Sequence, residues 1–258
     1  MKLFRSLEVR ASQGTQYIPN LRAAVPAGFR GRPVLATSAC QAGCTACRAV
    51  CPTRAIDLSA RGDLGTSGQV SLDLGRCVFC SACSDVCPTG KISFSPEPKM
   101  GAATAPDLIV REGDAATRVR ASATFARLFG RSLKMRQVSA GGCNACELEL
   151  NALVNVNFDV QRYGIEWVAS PRHADALVIT GPLTRTMRDA IRLAWDALPE
   201  PRFLVAVGAC AISGGLYEGA SGIDRTFLSS VGPSLFVPGC PPHPLTFANA
   251  ILDFLGRP

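Results

Sequence analysis

The 258-residue sequence has no long apolar run, which excludes the commonest kind of membrane anchor. No stretch reaches the ~18 consecutive apolar residues that a membrane-spanning helix needs. The N-terminus also lacks the apolar segment of a secretory signal and contains no twin-arginine pair. We therefore expect the protein to stay in the cytoplasm.

Charged residues are scarce, at 18% of the chain, whereas hydrophobic residues make up 47%. This balance is typical of a globular protein that buries a core, and it excludes large-scale disorder. The length predicts one or two domains.

Cysteine, by contrast, is abundant, with 12 residues. Because the cytoplasm keeps thiols reduced, we do not expect these cysteines to form disulfides. They divide into three sets of four, and four thiolates are what one iron–sulfur cluster needs.

An internal repeat contains eight of the cysteines. Its first copy has Cys44, Cys47, Cys51 and Pro52, which recur 36 residues later as Cys80, Cys83, Cys87 and Pro88. With Cys77, the second copy is a full C-x2-C-x2-C-x3-C-P run, the bacterial ferredoxin pattern in which the fourth cysteine reaches the other cluster. We therefore expect one 4Fe–4S cluster on Cys40, Cys44, Cys47 and Cys87, and a second on Cys77, Cys80, Cys83 and Cys51.

The first copy departs from this pattern because Cys40 and Cys44 are four residues apart. A local bulge at Gly43 would absorb the extra residue, so we predict that Cys40 is still a ligand. Without it, the cluster would have three thiolates and an open iron. Zinc is the alternative metal, but zinc sites rarely use this spacing twice with distant fourth ligands. Residues 33–96 resemble the small α+β two-cluster ferredoxin domain.

The segments around this domain are less informative. We interpret residues 1–32 as an extended N-terminal segment and residues 97–113 as a linker. A basic amphipathic stretch follows, in which Val119, Ala123, Ala126, Phe129 and Leu133 recur at helical intervals among Arg118, Arg120, Arg127, Arg131, Lys134 and Arg136. Such a helix favours contact with anionic lipid or an acidic partner, and the alternative is a solvated connecting helix.

The C-terminal part, residues 114–258 including the basic helix, alternates strand and helix patterns. The predicted strands are Met135–Val138, Ile165–Ala169, Ala176–Thr180, Phe203–Gly208 and Leu235–Pro238, and the predicted helices are Cys146–Asn155, Arg185–Leu198 and Leu245–Leu255. This alternation predicts an α/β fold with a flavodoxin-like parallel sheet.

The remaining four cysteines fall where such a sheet forms sites. Cys143, Cys210 and Cys240 each follow a predicted strand, and Cys146 lies at the start of a predicted helix. Sites in open parallel sheets form outside the carboxyl ends of the strands. The topology therefore predicts a single four-cysteine site.

Several C-terminal motifs resemble the small subunit of nickel–iron hydrogenases. They are Cys143–Glu147, Ser170–Pro182, Gly208–Gly215 and Val237–Pro242. The similarity is to the membrane-bound, energy-converting branch, which includes formate hydrogenlyase and is kin to one of the subunits of NADH:quinone oxidoreductase. The resemblance implies that Cys143, Cys146, Cys210 and Cys240 hold a third, proximal 4Fe–4S cluster beside a catalytic large subunit.

The resemblance also implies a function and partners. The chain would be the electron-transfer subunit of an oxidoreductase complex, without a complete active site of its own. It would carry electrons through three 4Fe–4S clusters between a donor or acceptor protein and the large subunit, on the cytoplasmic face of the membrane beside integral-membrane subunits. Ala145 and Leu245 depart from the usual hydrogenase residues, so a related or quinone-reducing complex without nickel is the alternative.

Three further alternatives concern charge and single residues. The net charge of +7 might indicate nucleic-acid binding, but three clusters would remove about six positive charges, so no nucleic-acid partner is expected. Glu147 is either a first-turn helix acid or a residue that tunes the third cluster or carries protons. His173 is expected in a turn, and His243 either packs or tunes the adjacent cluster. Gly214 and Gly215 are expected to allow close backbone approach.

Overall fold

The computed structural model describes residues 4–60, 69–115, 119 and 123–257. Among these residues, no helix is both long enough and apolar enough to span a bilayer. Arg118 and Arg120 of the expected basic helix, and the first three residues of the N-terminal segment, lie outside the described ranges.

The N-terminal half consists of short elements. They are α1 (Arg5–Gln13), β1 (Pro33–Leu35), α2 (Ala46–Val50), β2 (Ile56–Ala60), β3 (Gln69–Asp73), α3 (Ala82–Asp85), β4 (Ile92–Phe94) and β5 (Ile109–Val110). β1 pairs with β4, and β2, β3 and β5 form a second antiparallel sheet. β5 therefore joins a sheet of the cysteine-rich half, although it lies in the segment predicted as a linker.

The C-terminal half has longer strands separated by helices. Its elements are α4 (Ala123–Phe129), β6 (Leu133–Ser139), α5 (Ala145–Ala152), β7 (Ile165–Trp167), β8 (Ala176–Thr180), α6 (Arg188–Asp196), β9 (Phe203–Val207), α7 (Gly208–Ser213), α8 (Thr226–Val231), β10 (Leu235–Val237) and α9 (Pro244–Phe254). All five predicted strands are present, with ends that differ by no more than two residues from the prediction.

A five-stranded parallel sheet organises this half, in the order β10-β9-β8-β6-β7. This is the strand order of flavodoxin-like folds, so the predicted fold class is confirmed. β8 and β9 are buried at all five positions. Strands covered on both faces carry continuous apolar runs rather than alternating ones, and both of these sequences do.

Alternate residues of the central strands pack on opposite faces of the sheet, as the two-residue period of a strand requires. On one face, Val178 and Val205 join a cluster with α9. On the other, Leu177 and Leu204 join Ile191 of α6. Ala206 instead packs against the cysteine-rich half.

The two halves share an apolar interface and a backbone bridge. Ala102 and Phe236 exchange two hydrogen bonds, with N···O distances of 3.0 and 2.8 Å. Gly101 lies so close to α9 that an added Cβ would be 2.6 Å from the Cβ of Ala250. The sheet edge at β10 is therefore covered by the N-terminal half.

Two predictions about the flanking segments were wrong. The N-terminal segment is not extended throughout, because residues 5–13 form α1, and its Leu21 is buried against α9. The helix predicted to extend to Leu133 ends at Phe129. Leu133, Lys134 and Arg136 lie in β6 instead. Burial of Leu133 and Met135 in the sheet outweighed the local helical spacing.

Candidate metal centres

The first group of cysteines, here called the first site, is Cys40, Cys44, Cys47 and Cys87. These four residues line one cavity together with Gln41, Pro88 and Thr89. The extra residue in the Cys40–Cys44 spacing is taken up by a turn in which the Cys44 N–H donates to the Gln41 carbonyl at 3.1 Å. Gly43 has a φ of +70° in this turn, a conformation that glycine adopts without strain.

The second site is Cys51, Cys77, Cys80 and Cys83. These cysteines line a separate cavity whose other walls are largely apolar, including Ile56, Leu72 and Phe94. Cys51 follows the helix that carries Cys47, and Cys87 follows the helix that carries Cys83. The structure therefore places the last cysteine of each repeat copy in the cavity of the other copy.

Backbone N–H groups are aimed at sulfur in matching places of the two copies. Ala55 N–H donates to Cys51 Sγ, and Lys91 N–H donates to Cys87 Sγ, both at 3.2 Å. Phe79 N–H donates to Cys77 Sγ at 3.3 Å. Burial opposes ionisation of Cys87, but its several backbone donors prevail and lower its pKa. These donors suit sulfur that carries negative charge.

On the inner cysteines, burial prevails over the backbone donors. Burial is the largest cause, and together with the neighbouring thiols it raises the pKa of Cys77 to about 12 and that of Cys83 to about 11. A bare thiolate is therefore unfavourable there, whereas a bound metal deprotonates a coordinating thiol outright. The buried thiols and the N–H donors together fit iron–sulfur ligation.

The third site is Cys143, Cys146, Cys210 and Cys240, at the carboxyl edge of the parallel sheet. Cys146 is in the first turn of α5, Cys210 is in α7 after β9, and Cys240 follows β10. Burial, with smaller contributions from Glu147 and the three other cysteines of the site, raises the pKa of Cys146 to about 12. The four thiols that the sequence analysis grouped lie close together.

Glycines allow this close approach. A Cβ on Gly208 would be 2.7 Å from Cys146 Sγ, and Gly208 has a φ of +84°. The Ala209 N–H donates to the Gly239 carbonyl at 2.9 Å, which ties the loops of Cys210 and Cys240 together. A Cβ on Gly215 would be 3.3 Å from Cys210 Sγ, so the expected close approach at this glycine is confirmed.

Glu147 lies in the first turn of α5, as predicted, but it is not a solvated acid. Its side chain is 6% exposed, and Oε1 accepts a hydrogen bond from Thr180 Oγ1 at 2.6 Å. Thr180 is fully buried at the end of β8. Glu147 is therefore a buried carboxyl group beside Cys146.

The two histidines have different surroundings. His173 is exposed in a 3-10 turn (Pro171–His173), which confirms the predicted turn position. His243 caps α9, since its Nδ1 accepts from the Leu245 N–H at 3.1 Å. Its ring packs against Phe29 and Phe158, and burial lowers its pKa, which favours the neutral form.

Sequence reasoning missed several charged residues near these sites, among them Arg225 and Lys91. The Arg225 guanidinium donates to the carbonyls of Cys210, Ala211 and Ile212 at 3.1, 2.9 and 2.6 Å, so it fixes the end of the helix that carries Cys210. Lys91 is 2% exposed, and its Nζ lies 2.6 Å from the Ser38 carbonyl. Lys91 occupies the repeat position of Ala55, and this difference between the copies was a signal in the sequence.

Within the described ranges, no three His, Cys, Asp or Glu side chains are grouped closely enough to hold a single metal ion. The groups above are instead cavities lined by four thiols or a cluster of four thiols at a sheet edge.

Comparison with known proteins identifies the family. The model described as NADH ubiquinone oxidoreductase, 20 Kd subunit, matches residues 143–254, and that of a 4Fe-4S dicluster domain matches residues 39–91. A probable membrane-bound hydrogenase subunit of Pyrococcus furiosus is 32% identical over 50% of this chain and 78% of its own length. The chain belongs to the family of the NADH ubiquinone oxidoreductase 20 Kd subunit. The resemblance inferred from the motifs is thereby confirmed.

Other relatives include both a formate hydrogenlyase subunit and an NADH-quinone oxidoreductase subunit. Formate hydrogenlyase subunit 7 of Escherichia coli is 40% identical over 47% of this chain and 48% of its own length. An NADH-quinone oxidoreductase subunit of Desulfovibrio desulfuricans is 40% identical over 40% of this chain and 56% of its own length. The chain thus spans about half the length of these two relatives. The chain is an oxidoreductase-family subunit in which a 4Fe-4S dicluster domain precedes the region that matches this family.

Proposed function

We propose that the chain is the electron-transfer subunit of a membrane-associated hydrogenase complex, with three 4Fe–4S clusters. The first site would bind one cluster through Cys40, Cys44, Cys47 and Cys87. The second would use Cys77, Cys80, Cys83 and Cys51, and the third would use Cys143, Cys146, Cys210 and Cys240. The observation that carries this proposal is the gathering of twelve cysteines, distant in sequence, into three groups of four.

When bound, a 4Fe–4S cluster accepts or releases one electron at a time. The chain's own residues supply the ligands and their environment. Backbone N–H groups of Ala55, Phe79 and Lys91 stabilise negative charge on sulfur, and apolar side chains such as Leu72 line the second site. Both factors influence the reduction potential of a cluster.

Exposure around the third site supports a catalytic large subunit as partner. Cys143 and Cys240 are exposed, although ligands of a redox centre are usually shielded. Leu148 is 61% exposed two residues after Cys146, and Leu216 is 60% exposed near Cys210. Exposed apolar side chains around a site mark an interaction surface. We place this surface against the large subunit, which would hold the active site.

The remaining partners follow from the same family. An electron donor or acceptor protein would meet the cysteine-rich half, and integral-membrane subunits would hold the complex on the cytoplasmic face of the membrane. The second candidate function is the same electron transfer in a nickel-free or quinone-reducing complex. The 40% identity to a subunit of an NADH-quinone oxidoreductase favours it.

Purification of the intact complex would test the proposal. We expect about twelve irons per chain, three reducible cubane signals by electron paramagnetic resonance, and hydrogen-linked dye reduction. The co-purified large subunit should contain two cysteine pairs for nickel. Its lack of these pairs, together with quinone reduction, would favour the second candidate. Far fewer than three reducible clusters would contradict both.

A further inference from the structure

A small ion network lies between the second and third sites. Both carboxylate oxygens of Glu218 accept hydrogen bonds from the Arg76 guanidinium, each at 2.7 Å. The Arg54 guanidinium donates to the same carboxylate at 3.0 Å. Asp73 lies 3.7 Å from Arg76 on the other side. Two arginines of the cysteine-rich half thus converge on one acid of the sheet half.

The arginines belong to the second site by their position in the chain. Arg76 immediately precedes Cys77, and Arg54 is three residues after Cys51. Arg76 makes the stronger contact, because its interaction is bidentate and its side chain is 32% exposed, compared with 76% for Arg54.

Glu218 belongs to the third site through packing. It follows the 3-10 helix Gly215–Tyr217, and Gly214 lies so close that an added Cβ would be 3.1 Å from the Glu218 Cα. Gly215 in turn lies against the backbone and Sγ of Cys210. A shift of Glu218 would therefore be transmitted to the segment that carries Cys210.

The surface beside the network is closely packed. A Cβ on Gly75 would be 2.7 Å from a methyl group of Ile212, two residues after Cys210. Ala211 is buried in the same apolar cluster as Cys77 and Cys83. The ion network therefore borders a close contact between the second site and the Cys210 helix.

We infer that Glu218 is a positioning residue for electron transfer, which holds the second site against the third and whose negative charge lowers the reduction potential of the second cluster. The inference rests on the proposed function. A bidentate arginine–carboxylate pair has a defined geometry, so it fixes the relative position of the two segments. Because both side chains are partly buried, salt screens the carboxylate charge less than it would at an open surface.

The experiment compares Glu218→Gln, Glu218→Asp and wild-type protein, all with a full iron content, by redox titration followed with electron paramagnetic resonance. In Glu218→Gln, loss of the negative charge favours the reduced second cluster roughly tenfold, an upward shift of about 59 mV for one electron. The first cluster should keep its potential. The magnetic interaction between the second and third clusters should weaken.

Glu218→Asp separates the two roles. The shorter side chain keeps the charge but does not reach both arginine nitrogens. The reduction potential of the second cluster should therefore stay near that of wild type, while the magnetic interaction between the second and third clusters weakens. Glu200→Gln is the matched control, since Glu200 pairs with Arg202 and is 73% exposed, just before β9 begins. Glu200→Gln removes the same charge and should change neither the reduction potential of the second cluster nor the magnetic interaction.

Unchanged potential and unchanged magnetic interaction in Glu218→Gln would overturn the inference. A potential that shifts equally in Glu200→Gln would also overturn it, because the effect would then come from net charge. If wild-type protein itself lacks the second or third cluster signal, the proposed function fails instead. The two failures are therefore distinguishable.

Discussion

At the scale of single residues, small differences between similar positions decide how each site is built. The two repeat copies place an N–H donor on sulfur at the same distance, but one donor is Ala55 and the other is Lys91. The Lys91 ammonium is buried, pairs with Glu112 at 2.8 Å and donates to Ser38, two residues before Cys40. Lys91 therefore secures the loop with the unusual cysteine spacing.

Lys91→Met should loosen the Cys40 loop and leave Glu112 without its cation. We expect a loss of about 1–3 kcal/mol in the free energy of unfolding, because a buried ion pair loses one partner. The first cluster should lose iron, while the second and third retain theirs. Thermal unfolding and iron analysis would measure these effects. Lys134→Met, at an exposed position, is the control and should change neither the free energy of unfolding nor the iron content.

Gly208→Ala should disrupt the third site selectively. The new Cβ would lie 2.7 Å from Cys146 Sγ, and a φ of +84° is unfavourable for alanine. We expect loss of the third cluster's resonance signal with the other two retained. Gly232→Ala has a similar φ of +74° but nothing within 4 Å of the added Cβ. Should that variant lose the same signal, backbone strain rather than contact with Cys146 would be the cause.

At the scale of elements, the buried strands were the easiest part of the fold to predict. β8 occupies Ala176–Thr180, the range that its apolar run predicted. Continuous Val, Ile and Leu runs of this length suit central strands of a parallel sheet. The short helices α7 and α8 were not predicted, because six residues each are too few to display a helical period.

Leu204→Ala tests how much the central strand contributes. Leu204 is fully buried between β9 and the helices on one face, so we expect a loss of about 2–5 kcal/mol in the free energy of unfolding. Leu193→Ala removes the same atoms from α6 at a position that is 72% exposed. That control should cost less than about 0.5 kcal/mol in chemical denaturation. Equal effects would contradict the placement of Leu204 in the core.

At the scale of the whole molecule, we expect the two halves to depend on metal to different degrees. Cysteines of the first two sites are themselves part of the N-terminal apolar cluster. The two clusters on the faces of the parallel sheet contain no cysteine among their buried described residues. Where ligands form part of the core, metal binding is coupled to folding.

Iron removal should therefore unfold the N-terminal half before the sheet half. We expect hydrogen exchange in chelator-treated protein to accelerate strongly in β1–β4 and to stay slow in β8 and β9. The reconstituted protein serves as the control and should regain protection in both halves. Uniform loss of protection across the chain would show that the sheet needs the clusters as well.

The sequence by itself determined the composition of the sites and the class of fold. Cysteine spacings of three or four residues and apolar runs of about five are local properties, so a single chain displays them. Only the tertiary structure decided the contacts between distant segments, such as that of Arg76 with Glu218, 142 residues away. The burial of Glu147 and the close approach of Gly208 to Cys146 depend likewise on how the loops pack. Such contacts depend on the shape of the folded surfaces, which no local pattern encodes.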